Sequence, residues 1–299
     1  MTLVQHEQIH KANVRYHDLA AAHYDAKWGI SYTERGQAQV KAKLGKALGR
    51  RPEHFARGLE IGAGTGYFGL NLARAGVIGN LAAVDISPGM LSELGHSAER
   101  LGVEVDCAAC EAGSLPFPDD SFDLVFGHAV LHHLPDLEGC FREFRRVLRP
   151  GGALAFCGEP SLYGDRLSFW PKRAAYRVAP LWRAAMRAGA RAERAREEHE
   201  EDVLEHVVDV HAFTPGELSD GARSAGFTKV RVSGEELAAS LFGWVNRTLE
   251  GSAEPTEVPW LWRQYAYRGY LALQALDRTV LEGRLPPGLF YNLLVSARA

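Results

Sequence analysis

The chain predicts an α/β fold on a largely parallel sheet, and three observations carry that prediction. Short apolar runs at 57–61, 80–85, 103–108, 121–127 and 151–157 alternate with helical patterns, except after the last run. Such alternation builds a parallel sheet with helices on both faces. The first run ends in LEIGAGTGYFG at 59–69, an apolar stretch stopped by an acid and followed by a glycine-rich loop. Two further apolar runs, FTKVRVS at 227–233 and LFYNLLVSA at 289–297, supply the remaining strands.

The elements follow in order. Residues 1–54 alternate apolar and polar positions at helical spacing and close on Gly49 and Pro52, which predicts a helical cap. The second strand ends in Asp85, and Ser87 with Pro88 suits the N-cap and first position of a helix. Residues 148–152 read as a helix stop and turn. Thr214, Pro215 and Glu217 have capping-box spacing and open another helix, which ends near Gly226. Segments 161–212 and 234–287 interrupt the alternation as helical insertions. Each leaves from the carboxyl end of a strand, the edge where open α/β sheets bind ligands, so both should stand over the site and contact each other there. The six tryptophans fall outside the sheet: Trp28 in the cap, Trp170 and Trp182 in the first insertion, Trp244, Trp260 and Trp262 in the second. They form either a private aromatic core for each cap or the wall of a large apolar pocket.

Composition excludes several classes. The chain has 299 residues, 46% hydrophobic and 24% charged, with a formal net charge of −3, which gives no reason to expect nucleic acid. No apolar run reaches about 18 residues, and MTLVQHEQIHKANVRYHD lacks a signal core, so a cytoplasmic protein is the default expectation. Cys107, Cys110, Cys140 and Cys157 are irregularly spaced and make no disulfide framework. The C-x-x-C of Cys107 and Cys110 has no second pair or adjacent histidine to complete a zinc site, and no H-E-x-x-H occurs; no metal is expected. In the first insertion, Val178, Leu181, Trp182, Ala185 and Met186 make one helical stripe and Arg183, Arg187, Arg191 and Arg194 another. A basic amphipathic stretch over 166–194 can lie weakly on an anionic membrane, although the acidic run at 197–202 opposes it.

The glycine loop separates two cofactors that share one fold. A dinucleotide site uses G-x-G-x-x-G, whose third glycine lets a helix approach the pyrophosphate. Here Gly62 and Gly64 fit, Tyr67 stands at the third position, and the extra glycine is Gly66. Glu60 ends the strand, where a carboxylate attracts an amine and repels a phosphate. The loop therefore disfavours a nicotinamide dinucleotide and favours S-adenosyl-L-methionine (SAM), whose amino-acid tail carries an ammonium.

Three further segments occur in register behind that loop: AVDISPGML at 83–91, CEAGSLPFPDDSFDLVFGHAVLHHLPD at 110–136 and FREFRRVLRPGGALAFCGEP at 141–160. With the loop they resemble the class I SAM-dependent methyltransferases across roughly 55–160. Within that class the chain is similar to the small-molecule group that includes quinone-biosynthesis methyltransferases. The resemblance implies a Rossmann-like seven-stranded sheet, mostly parallel with the last strand antiparallel, and helical cap insertions. It divides the chain into a cap (1–54), a SAM-binding core (55–160), a first lid (161–212), core continuation (213–233), a second lid (234–287) and a final strand (288–299).

Carried over position by position, it implies that Gly62, Ala63, Gly64 and Gly66 lie along the methionine and ribose of SAM. Glu60 is then implied to hold the amino group and Asp85 the ribose hydroxyls, with Ile86 and Met90 alongside. Glu111 and the Ala112 amide are implied to meet the adenine, and Tyr24 (or Tyr16) to close over the methionine end. His128, at the end of the fourth strand, is implied to lie beside the transferring methyl as part of the cofactor site. With His132 and His133 it is a candidate for taking a proton from a hydroxyl acceptor, although His132 and His133 cannot both face inward. The expected activity is methylation of a small or medium-sized, apolar-bodied acceptor, on oxygen first and carbon second. GHAV follows the fourth strand where an exocyclic-amine methylase of nucleic acids carries N/D-P-P-Y. The alternatives are a SAM-binding enzyme of other chemistry, a non-catalytic SAM-binding subunit, and a nicotinamide oxidoreductase. The sequence assigns no oligomeric state.

Overall fold

The computed structural model describes residues 3–25, 29–191 and 211–299. Seven strands form one sheet: β1 (Phe55–Ile61), β2 (Ile78–Asp85), β3 (Val105–Ala109), β4 (Phe122–His128), β5 (Leu148–Pro160), β6 (Thr228–Glu235) and β7 (Asn292–Arg298). Their spatial order is β3-β2-β1-β4-β5-β7-β6, with β7 inserted antiparallel between β5 and β6. The order reverses between β1 and β4, where an open α/β sheet has its ligand crevice.

The central strands are buried on both faces, so their side chains divide by alternation. Leu124 and Phe126 of β4 and Ala153, Ala155 and Cys157 of β5 enter one core. Val125, Leu154 and Phe156 enter the other. The first core is closed by helix α1's successor α2 (Glu34–Leu48), through Val40 and Leu44, and by α3 (Tyr67–Arg74) and α4 (Pro88–Leu101). The cap also contains α1 (Leu3–Ala20). The second core is closed by α5 (Leu137–Val147) and α7 (Pro215–Ser224), with Phe141, Phe144 and Leu218 fully buried. Ser87 caps α4 by accepting the Met90 amide at 3.0 Å. Thr214 and Glu217 form the expected capping box on α7.

Three details differ from the sequence reading. No helix follows β3; residues 110–121, with two prolines and paired aspartates, form turns instead. The Pro-Gly-Gly turn is absorbed into β5 as an irregularity in its register with β4. The final strand begins at Asn292, because Pro286 and Pro287 hold 287–289 in a short 3-10 turn.

The insertions carry α6 (Leu162–Met186), α8 (Ala238–Gly251) and α9 (Trp260–Leu276). As expected, they pack on each other, through a small separate core that includes Ala175, Ala179, Trp182, Leu249 and Val258. The stripe expected to be apolar on α6 is only in part its buried face, through Trp182 with Met186 packed beside it. Gly164, Ser168, Ala175, Ala179 and Trp182 are buried, whereas Val178 and Leu181 are exposed. Small residues let α6 lie close against its neighbour, and that contact outweighs the hydrophobicity of the other stripe. Trp28 and Arg194 lie outside the described residues, as does the acidic run at 197–202. No helix among the described residues is long and apolar enough to cross a membrane.

Candidate cofactor site

The crevice at the carboxyl ends of β1, β2 and β4 holds a cavity of about 300 Å³. Its floor is the loop after β1, where Gly62, Gly64 and Gly66 all have positive φ. Only Gly64 needs glycine for the sake of the cavity: a Cβ there would enter open space, in a backbone conformation that side chains rarely adopt. At Gly62 a Cβ would strike Val130, and at Gly66 it would strike Leu70 and Leu94, so those two glycines serve protein packing.

Asp85 holds the loop in this shape. One of its oxygens accepts the Gly64 amide at 2.8 Å and the other accepts the Ser87 amide at 2.9 Å. Each carboxylate oxygen retains a further acceptor lone pair, and Asp85 lines the cavity. Ile86, Met90, Cys110, Glu111, Ala112 and His128 also line the cavity, as does Tyr24. Tyr16 is buried behind that wall, as are Ala63 and Gly66.

Glu60 corrects the sequence reading: it is not on the cavity wall. It is 2% exposed beneath the loop, where it accepts the Gly69 amide at 3.0 Å. Burial raises its pKa well above the ordinary carboxylate value, with the nearby Asp85 charge adding to the effect. It braces the start of α3 rather than reaching for a ligand amine, so the electrostatic argument against a phosphate cannot rest on it.

The roof is α1. His10, Asn13 and His17 line the cavity from above, and His10 lies 2.9 Å from a Glu111 oxygen. Asp18 fastens the helix, accepting the Ser87 hydroxyl and, at 3.0 Å, the Gly89 amide. A carboxylate there meets the exposed amides and positive dipole end of α4. Among the described residues, none from the two insertions lines this cavity, although both were expected to stand over the site. Trp182 and Trp262 stack edge-on with 5.2 Å between ring centroids inside the insertion core, and Trp170 and Trp260 point to solvent.

The three histidines occupy different surroundings. His128 lines the cavity and stacks on Phe68 with 5.4 Å between centroids. Burial, then the Lys43 ammonium 3.5 Å from its Nε2, pushes its pKa down to about 3. Lys43 is itself a buried cation: burial opposes its charge, but Glu235 at 2.7 Å and Glu236 outweigh this and hold its pKa above the usual lysine range. Glu235 also pairs with Lys46 at 2.9 Å, and Lys46 with Glu282 at 2.9 Å. Burial would raise the Glu235 pKa, but the two lysines outweigh that and hold it low. With a fixed cation at its back, His128 is a weak base.

His132 and His133 lie in a 3-10 turn, Leu131–His133, with their ring centroids 4.0 Å apart, and of the two it is His133 that lines the cavity. His132 turns away to Glu159, which accepts from its Nδ1 at 2.9 Å; an ionised carboxylate only accepts, so the ring nitrogen donates. Glu159 also receives the amides of Val130, Leu131 and His132 at 3.0 to 3.2 Å. It thereby sets the loop after β4, including Ala129, which is held at φ 53°, a strained value for alanine. Glu159 carries the same signal as Asp85, an acid at the carboxyl end of a parallel strand. Asp18, Lys43 and the α1 residues had no such signal.

The crevice has the Rossmann-like layout, with a carboxylate at the end of β2, another after β3 and a glycine floor that leaves open space above Gly64. Comparison with known proteins gives the family. The methyltransferase domain family matches residues 59–156. A malonyl-[acyl-carrier protein] O-methyltransferase of Geobacter sulfurreducens is 32% identical over 225 residues, covering 69% of this chain and 78% of that protein. One of the same description from Halorhodospira halophila is 38% identical over 120 residues, 40% of this chain and 40% of that protein. The chain thus spans well under two thirds of some curated relatives. Among solved structures, the [4+2]-cyclase SpnF superposes with a TM-score of 0.54 at 19% identity, covering 95% of this chain and 94% of that one, a likeness of fold. The chain belongs to the class I SAM-dependent methyltransferases, and SAM is its cofactor.

Proposed function

We propose that this chain methylates a small or medium-sized, apolar-bodied metabolite, on oxygen in the first instance and on carbon in the second. The observation that carries the reading is the cavity wall formed at the end of β4. There β4 and the turn after it present His128 and His133 together, with α1 facing them through His17. The ring centroids of His17 and His133 are 5.4 Å apart. Relatives described as O-methyltransferases support oxygen as the first choice.

SAM bound here supplies an electrophilic methyl on sulfur, whose positive charge is lost in the transfer. The residues then have defined tasks. Asp85 holds the ribose hydroxyls, Glu111 meets the adenine edge, and the Gly64 region admits the amino-acid tail. Met90 and Tyr24 cover the nucleoside. Alignment of donor and acceptor contributes ~7–11 kcal/mol, whereas a general base contributes about 10²–10⁴-fold, so positioning dominates. His128, neutral and backed by Lys43, is a polar wall group rather than a proton acceptor. His133 is the better-placed base for a hydroxyl, because it lies on the cavity wall facing His17 and His132 with Glu159 anchors the turn behind it.

The test is incubation of purified protein with methyl-labelled SAM and fractionated metabolite extracts, followed by mass analysis. Label is expected in an organic-extractable product whose methyl is bonded to oxygen. Protein that binds adenosylhomocysteine yet labels nothing is a SAM-binding subunit, and this reading then fails.

A further inference from the structure

We propose that the outer face of α6 is a docking surface for an anionic lipid bilayer. On the solvent side of this 25-residue helix, opposite its buried stripe, Arg166, Trp170, Arg173, Arg177 and Leu181 recur at helical spacing. Trp170 is 70% exposed and Leu181 74%, values at which a side chain stands clear of its neighbours. Phe169, Tyr176 and Val178 flank them, also exposed. Isolated apolar residues on a surface are ordinary; a row of this size along one helix marks an interaction site.

Charge decides the occupant. The helix carries five cations against one acid, Asp165, and that acid is paired with Lys172 at 3.6 Å. The second insertion continues the pattern: α9 contains no acid, has no buried residue, and exposes Trp260, Leu261 and Tyr265. Tryptophan and arginine together suit a lipid interface, where the ring sits at headgroup depth and the guanidinium reaches phosphate. A second copy of the chain fits less well, since a twofold contact would set the same arginines against each other. The helix spans about 37 Å at 1.5 Å per residue, long enough to lie flat along a bilayer surface.

The experiment is co-sedimentation of the full purified chain with phosphatidylcholine vesicles, with and without roughly a quarter phosphatidylglycerol. Binding is expected only with phosphatidylglycerol. It should weaken between about 0.1 M and about 1 M salt, as the screening length falls from ~10 to ~3 Å. Trp170→Ala and the double substitution R173E/R177E should each lower the partition coefficient by about tenfold or more. Both sites are exposed, and unchanged adenosylhomocysteine affinity will verify that each variant is folded. Three results overturn the proposal: no binding to anionic vesicles, equal binding to both vesicles, or binding that neither variant alters. Self-association that Trp170→Ala abolishes, without vesicle binding, assigns this face to a second copy.

Discussion

Two helical additions sit on the same edge of the sheet, and among the described residues only one of them lines the cofactor cavity. The N-terminal cap lays α1 across it, with His10, Asn13 and His17 facing down and Asp18 bonded to the start of α4. The insertions after β5 and β6 leave from that edge too, yet they pack on each other around Trp182 and Leu249 and turn aromatic side chains to solvent. Position in the topology therefore selects candidates for a lid without deciding among them. What decides is where each segment finds partners for its apolar face and its polar groups. The cap found them on the core; the insertions found them mostly in one another.

That contrast can be broken experimentally, and the largest effect should come from the insertion core. Trp182→Ala leaves a cavity among small residues and should destabilise the fold by about 3–5 kcal/mol. Denaturant unfolding measures this, and adenosylhomocysteine affinity should stay the same. A large loss of affinity would mean that the insertions and the cavity are one unit. Next is the buried ion cluster that joins cap to sheet. Lys43→Met leaves Glu235 with Lys46 alone, and removing one partner of a buried pair costs about 3 kcal/mol or more. A loss below about 1 kcal/mol would show that the cluster contributes little.

Asp85→Ala comes third, since it removes both the ligand acceptor and the carboxylate holding the Gly64 and Ser87 amides. Calorimetry should find SAM affinity weaker by ~1–3 kcal/mol, and unchanged affinity removes Asp85 from the site. The smallest effect, taken per unit of pH, is a pH dependence. His128 titrates at about 3 in the folded chain and near 6.5 unfolded, so below pH ~6.5 the unfolded chain binds the extra proton. Its contribution to stability is complete above ~6.5 and declines by up to ~1.4 kcal/mol per unit as pH falls towards 3. Replacing His128 by Asn should flatten that part of the curve; an identical slope would place the titration elsewhere.

Much of this was legible in the chain. Every strand of the sheet was visible as an apolar run, and Asp85, Glu111 and Gly64 could be picked out because strand ends and loop glycines have local signatures. Glu60 carried the same signature and misled, because a strand alternates its side chains and the sequence does not say which end-residue looks up into the crevice and which looks down into the core. The sequence reading held that His132 and His133 cannot both face inward, but only the bond to Glu159 decided that His132 is the one held outside the cavity.

The sequence by itself determined the class of fold, the order of its elements and the kind of cofactor, since periodicity, caps and glycine placement act over a few neighbouring residues. Tertiary structure alone decided that α1 forms the roof, that Lys43 stands behind His128, and that the insertions bury small residues while exposing large ones. Those outcomes depend on contacts between segments far apart in the chain, where burial and pairing of charges outweigh any local preference.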